Sequence, residues 1–586
     1  CSSDLNATGS YSFNQNFTAI NPNQPGSTGS SLASLLMGYP ATGSARLTTK
    51  FFSFADYYGL YFQDDYRVNS KLTLNLGLRY EYETGLQEAN NNFTYTFDRT
   101  VTNPIQATAA PGTIARGGLV YAGVDGAPTA QGNPSSRKWA PRIGIAYRMN
   151  DKTTIRTGYG IYWAPARYES SPAGLGAEGF TRDTVFDTVD PYTPTVNLSN
   201  PFPNGLLQPV GSSLGLLTNI GSDVPLINPD RRGGLVQQFS FDIQREIGQG
   251  IGLELAYIGS RSTRLQHAGT GAAAFNINAL DPQYFALGNS ALNGAVPNPF
   301  AGSPLRAGVI SAANIPLQRT LRPHPHFNSI TAYYMDGNRA RYDSFVIKAQ
   351  KRMSQGLTFL SSLTWTKAYD ASFSDGNTFA GTAGAPQTPY DLAREHALSS
   401  NLAPLRFTST FTYELPFGKG KPFANSAGTA VNYLVGGWSV NGIWTMQSGF
   451  FSSITQNTNN NGVFGYQRQR PNSTGQDAAS AGSFASRLDG WFSREAFSTV
   501  PQGQFGNTAR TLPVLGPGQV QWDLSLFKTA AVTEKLRAQF RLEAINAMNT
   551  PVFRGPANAF GAGNFGTVTR QANFPRQIQM GLRFMW

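Results

Sequence analysis

The 586-residue sequence predicts an all-β fold, an antiparallel up-and-down transmembrane β-barrel with about 14 strands visible. Three observations lead there: side chains alternate with period two, short and long connections alternate strictly, and helical spacing is sustained nowhere.

The alternation is clearest in Leu72-Thr73-Leu74-Asn75-Leu76-Gly77-Leu78-Arg79-Tyr80-Glu81-Tyr82, where even positions are apolar or aromatic and odd ones polar or glycine. Successive strand side chains point to opposite faces, so this segment has one oily and one wet side. Ile143, Ile145, Tyr147 and Met149 oppose Arg142, Gly144, Ala146 and Arg148 in the same way, and Ile155, Tyr159, Ile161 and Trp163 oppose Arg156, Gly158 and Gly160. The pattern returns at Ile251–Tyr257, at Leu405–Leu415 and at Leu536–Glu543. About thirteen such segments follow Ala55, with a weaker candidate at Tyr11–Phe17.

Compact connections fall at Val68–Lys71, Met149–Lys152, Ile247–Gly250, Met353–Gly356, Pro416–Asn432 and Ala530–Glu534. Most carry the Asn, Asp, Gly and Lys of tight turns. Between them run long connections at 84–137, 164–234, 261–341, 370–403, 448–518 and 548–575. In a meander this order puts every short turn on one side and every long loop on the other. A soluble sandwich has no reason to obey that rule, whereas bacterial outer-membrane barrels do, with short turns in the periplasm and long loops outside.

Composition removes other classes. Charged residues are 14% and aromatic residues 12%, the reverse of a disordered chain. The single cysteine, Cys1, excludes internal disulfides and cysteine-based metal sites. No apolar run reaches the length of a spanning helix, but a spanning strand of about 9–11 residues escapes that criterion. The net charge of +12 is spread along the chain without a basic run, so no nucleic-acid partner is expected.

On the wet faces Arg79, Arg142, Arg156, Arg406, Arg537, Arg541 and Arg583 are candidates to line a hydrated lumen. Tyr57, Tyr58, Tyr61, Tyr80, Tyr82, Trp139, Tyr162, Trp163, Trp438, Trp444 and Trp522 are candidates for an aromatic girdle at headgroup level. The closing Gln579-Met580-Gly581-Leu582-Arg583-Phe584-Met585-Trp586 resembles the terminal strand read by the barrel assembly machinery, with Gln579, Gly581, Phe584 and Trp586 as its marks.

Several stretches resemble the barrel part of Oar-like TonB-dependent receptors. They are Tyr57–Tyr66, Leu72–Glu81, Trp139–Gly144, Leu415–Gly420, and the closing region from Trp522–Ser525 through Phe540–Glu543 and Asn546 to Pro575–Gln579. The resemblance implies a 22-stranded outer-membrane barrel with a plug, a TonB box and a carboxypeptidase-regulatory-like domain. None of these three is identifiable here, so the expectation is a barrel portion reaching TonB only through a plug absent from this chain. Residues 1–54 are expected to hold a partial N-terminal barrel strand and extracellular loop, and 55–586 the barrel with its long loops. A complete fourteen-stranded barrel is the alternative.

Other motifs are weaker. His324-Pro325-His326, with Glu395-His396, lacks the spacing of a metal site. Gly561-Ala562-Gly563-Asn564-Phe565-Gly566 matches a dinucleotide fingerprint but has no helix behind it, and is expected to be a flexible loop. Asp64-Asp65 and Asp230-Arg231-Arg232 are expected to be solvated turn or loop charges. Cys1-Ser2-Ser3 has the look of an acylated lipoprotein start, with no lipobox to read. The expected function is therefore a non-enzymatic outer-membrane receptor or transporter without cofactor or metal. Its expected partners are outer-membrane lipid and lipopolysaccharide, the assembly machinery and an unidentified extracellular ligand. The alternatives are a passive porin-like or adhesive surface barrel, or a secreted soluble carbohydrate-binding β protein.

Overall fold

The computed structural model describes residues 9–22, 28–165, 176–187, 193–266, 275–371 and 385–586; Cys1 lies outside them. Thirteen strands follow one another, each hydrogen-bonded antiparallel to the next. They are β1 (Tyr57–Arg67), β2 (Leu72–Glu83), β3 (Lys138–Asn150), β4 (Thr153–Trp163), β5 (Leu235–Gly248), β6 (Ile251–Gln266) and β7 (Asp336–Ser354). The series continues with β8 (Leu357–Asp370), β9 (Leu405–Glu414), β10 (Trp438–Gln447), β11 (Gln519–Ala531), β12 (Arg537–Ile545) and β13 (Gln577–Met585).

A fourteenth strand of the sheet, Ala397–Leu398, pairs only with the end of β8 and does not extend the meander. The segment expected at Tyr11–Phe17 lies elsewhere. Ser10–Ser12 pairs with Thr42–Thr48, which pairs with Thr181–Asp187 in a separate sheet. Its alternation stops at the 3-10 turn Asn16–Thr18, too soon to cross a bilayer. Among the described residues β1 and β13 do not pair with each other, so the sheet is open at both edges.

Six short connections lie on one side and six long ones on the other. The largest departure from expectation is at 261–341, where β6 runs on to Gln266 and β7 starts at Asp336. Two hairpins close with positive φ at both central residues: Gln249 (52°) with Gly250 (71°), and Gln355 (51°) with Gly356 (78°). That geometry follows the twist of the flanking strands. A side chain at Gly356 would also meet the Glu414 carbonyl at 2.8 Å.

The pairing register fixes two faces across the sheet. Leu76 faces Ile143, Ile143 faces Tyr159, and Leu363 faces Phe407. Farther along, Phe407 faces Met446, Met446 faces Val520, and Leu542 faces Met580. These oily side chains do not pack on a second sheet: Ile143 is 48% exposed and Leu582 63%. None of the five hydrophobic core clusters contains a residue of β1–β13.

The dry interior lies instead among the long loops. The largest cluster joins Phe97 and Leu119 of the first long loop, Phe180 and Leu226 of the second, and Phe300 and Phe327 of the third. A second unites Ile454, Trp491 and Phe497 with Phe565 and Val568, and a third packs Leu280 and Leu292 against Phe464 and Tyr466. A sheet with an exposed oily face, joined to cored loops on one side, is arranged for two solvents.

Candidate functional site

All seven arginines expected in the lumen share the face opposite the oily one. Arg79 faces Tyr61 and Ala140, Arg142 faces Gly77 and Gly160, and Arg156 faces Asp242. Arg406 faces Gln447, Arg537 faces Met585, Arg541 faces Gly581, and Arg583 faces Gln539. Polar pairs run along and between the strands of this face. Arg79 meets Glu81 at 2.6 Å, Lys348 meets Glu254 at 3.5 Å, and Gln579 donates to Glu543.

The aromatic candidates divide between the faces. Tyr58, Tyr80, Tyr82, Trp139, Trp163, Trp438, Trp444 and Trp522 lie on the oily face, with Tyr80 on Trp139 (4.7 Å) and Trp444 stacked on Trp522 (4.5 Å). Tyr57, Tyr61 and Tyr162 lie on the arginine face, contrary to a girdle position. Tyr57 accepts from Arg79 at 2.9 Å, and Arg142 lies over the Tyr162 ring at 4.7 Å. The cause is local: Tyr57-Tyr58-Gly59-Leu60-Tyr61 puts aromatics at odd and even positions alike. Trp365, 60% exposed on the oily face, is a rim aromatic that the sequence reading missed. On β3, Trp139 and Tyr147 bracket about 27 Å of strand at ~3.4 Å per residue, close to the height of a lipid-facing band. At the terminus Gln579 and Gly581 sit on the arginine face, and Phe584 continues the oily one.

A polar cavity opens among three long loops, with a volume of ≈ 640 Å³. Glu395 and Asn401 come from the β8–β9 loop, Gln456, Asn457, Arg468, Arg470 and Arg510 from the β10–β11 loop, and Asn558 from the β12–β13 loop. Its frame is an ion-pair network. Arg470 meets Glu395 at 2.6 Å, and Glu395 accepts from the Gln387 backbone at 3.1 Å. Arg510 donates to the Glu395 carbonyl (2.7 Å) and meets Asp370, the last residue of β8, at 2.5 Å. Amides close the frame: Gln456 and Gln469 each bond backbone of neighbouring turns, and Asn558 donates to the Ser453 carbonyl at 2.9 Å. Glu395 was noticed in the sequence beside His396, but the arginines were not, because loop positions carry no periodicity to single them out.

The family model described as an outer membrane beta barrel domain matches residues 2–579. The chain belongs to that outer-membrane barrel family. The barrel domain is thus a protein of the outer membrane. Among curated proteins none matches the sequence. Similar solved structures include the outer membrane transporter YddB from Escherichia coli, at 9% identity and TM-score 0.42, covering 91% of this chain and 45% of that one. Others are the siderophore receptor PiuA from Acinetobacter baumannii (9%, 0.38, 93% and 44%) and the pyoverdine receptor FpvA from Pseudomonas aeruginosa (11%, 0.36, 93% and 42%). The barrel domain spans less than half the length of each.

The remaining motifs have structural partners within the barrel domain's loops. His324 bonds the Arg116 carbonyl at 2.6 Å and meets Phe97 edge-on, while His326 bonds the Gly117 carbonyl and packs on Phe327. His396 stacks on Tyr369 and Glu395 joins the arginine network, so the four are held by different partners. Arg231, expected to be solvated, is fully buried over the Tyr334 ring (4.4 Å), while Arg232 pairs with Asp336 at 3.0 Å. Asp65 accepts from Asn75 at 2.5 Å; Asp64 is turned to the oily face of edge strand β1. The Gly561–Gly566 loop folds round Arg494, whose guanidinium donates to the Gly563 carbonyl at 2.9 Å. Carbonyls pointing inward suit a cation, the opposite of a phosphate cradle.

Burial holds His326 neutral, its pKa lowered to about 4 by desolvation against a weaker opposing pull from the Gly117 carbonyl; burial lowers His324 too. A base whose folded pKa is depressed gives full stability above its unfolded value of ~6.5 and loses it as pH falls toward the folded one. Thermal melting of the loop assembly is therefore expected to shift down between pH 6.5 and 4. A melting temperature unchanged over that interval would remove the histidines from the core's energetics.

Proposed function

We propose that this barrel domain is the membrane and ligand-capturing part of a TonB-dependent receptor of the Oar-like type. The observation that carries the reading is the folded loop assembly: five of the six long connections share hydrophobic cores, and three of the six enclose a polar cavity. Passive passage needs no such structure, whereas capture of a dilute ligand does, because a preformed pocket avoids the ordering cost that floppy loops would incur on binding. The seven strand arginines line the hydrated interior and tune passage electrostatically. Coupling to TonB runs through a plug, and full closure of the interior needs strands beyond these thirteen. Tyr58, Tyr80, Tyr82, Trp139, Trp163, Trp438, Trp444 and Trp522 form the girdle, and the Gln579–Trp586 strand is the assembly signal.

The test uses the natural gene product purified from outer membranes. In planar bilayers it is expected to show no steady conductance, and the periplasmic domain of TonB is expected to bind it. A steady, ligand-independent pore that TonB does not bind overturns the reading in favour of a passive channel.

A further inference from the structure

The cavity among the three loops has a polarity that narrows its ligand. Three arginines line it against one carboxylate, Glu395, which Arg470 already engages. Arg510 is fixed by Asp370 and the Glu395 carbonyl, so its charge serves the frame. Arg468 differs. Among the described residues its guanidinium makes no hydrogen bond and no ion pair; burial lowers its pKa, against an opposing pull from the nearby Glu395 carboxylate. Arg470 is 7% exposed and meets Glu395, and its Nε is buried without a hydrogen-bond partner, so it contributes charge beside the cavity. Two neighbouring amides, Asn457 and Gln467, likewise make no side-chain hydrogen bond, in contrast to Gln456, Gln469, Asn459 and Asn558, which tie the loops together.

The site thus separates into a saturated frame and an unsaturated lining. Arg468 is half-buried, and an incoming anion would give this partly desolvated cation a charge-assisted partner. No aromatic ring lines the cavity, and Ile454 is its only large apolar side chain, so a flat or greasy ligand finds little surface there. Two exposed amides beside the Arg468 guanidinium suit a molecule with many hydroxyls and a carboxylate. The volume is that of a small-molecule site rather than of a peptide groove.

We propose that this cavity binds a hydroxyl-rich carboxylate, with Arg468 receiving the carboxylate, Arg470 adding positive charge behind it, and Asn457 and Gln467 receiving the hydroxyls. Two sources share that chemistry, an acidic sugar and a small hydroxy-polycarboxylate. The inference rests on the receptor reading above and specifies its ligand class.

Calorimetric titration of the detergent-solubilised protein with digalacturonate, citrate and the neutral disaccharide cellobiose tests it. Digalacturonate or citrate is expected to bind and cellobiose not, with the tighter anion identifying the source. Arg468→Gln is expected to weaken the bound anion by at least about tenfold, the worth of a charge-assisted pair. Arg468→Lys, which keeps the charge and loses the fork, falls between. Unchanged protease resistance of the loops shows that these variants fold. Binding that ignores Arg468→Gln, equal binding of cellobiose, or no binding of either anion overturns the inference. Those results leave the receptor reading standing, since it is judged by conductance and TonB binding; a steady pore that still binds the anion through Arg468 sinks the receptor reading and keeps the site.

Discussion

Ile143→Arg is expected to block assembly of the chain into the outer membrane almost completely. Ile143 lies near the middle of β3, on the oily face between Leu76 and Tyr159, and is half exposed to whatever surrounds the sheet. An arginine at the midplane of a lipid-facing surface costs about 2–4 kcal/mol. That is a large part of the margin by which proteins stay folded. The control is Gln238→Arg on β5, which faces Gly160 on the arginine side and meets hydrated surroundings. The fraction of chain protected from periplasmic protease in a Gram-negative host should collapse for the first variant and stay near wild type for the second. Equal behaviour of the two would mean that lipid does not touch this face.

Glu395→Ala is expected to open the loop assembly while leaving the strands in place. The carboxylate is 2% exposed, accepts from Arg470 and the Gln387 backbone, and its residue's carbonyl receives Arg510. Removing it leaves the Arg470 charge buried without its partner, a change that costs about 3–5 kcal/mol in comparable buried pairs. Protease added to intact cells should cut within 385–404 or 448–518 in the variant and not in the wild type, while strand protection from the periplasmic side persists. Glu395→Gln should fall between, because it keeps the acceptor for Gln387 and loses the charge. An Ala variant as resistant as wild type would show that the network does not hold the β8–β9 and β10–β11 loops together.

The strands were legible in the sequence because each oily face is written as a run of alternate residues, and lipid enforces that alternation without help from distant contacts. Leu72–Tyr82 and Leu405–Glu414 could be placed, faced and ended to within a residue or two. Edge strand β1 was harder: aromatics on both its faces hid which tyrosines turn to lipid, and Tyr57 and Tyr61 proved to share the side of Arg79. The loops hid more. Arg231 reads as a surface charge beside Asp230 and Arg232, yet it is buried because Tyr334, more than a hundred residues away, supplies its ring. Arg468, Arg470 and Arg510 carry no pattern in their own segment; Asp370, Glu395 and Gln387, which give them meaning, arrive from another connection. Contacts between connections leave no local trace, so the cavity became visible only in three dimensions.

The position of the hydrophobic clusters has a consequence for how the molecule is made. Phe97, Phe180, Leu226 and Phe327 belong to one dry interior but to three separate connections, each held at both ends by hairpins of the sheet. Such an interior cannot condense early from one stretch of chain, since its closure waits on ribbon after ribbon being laid edge to edge. The exterior cap is therefore the last part to mature, and it reports, by its own compactness, that the wall beneath it has been built in the correct order.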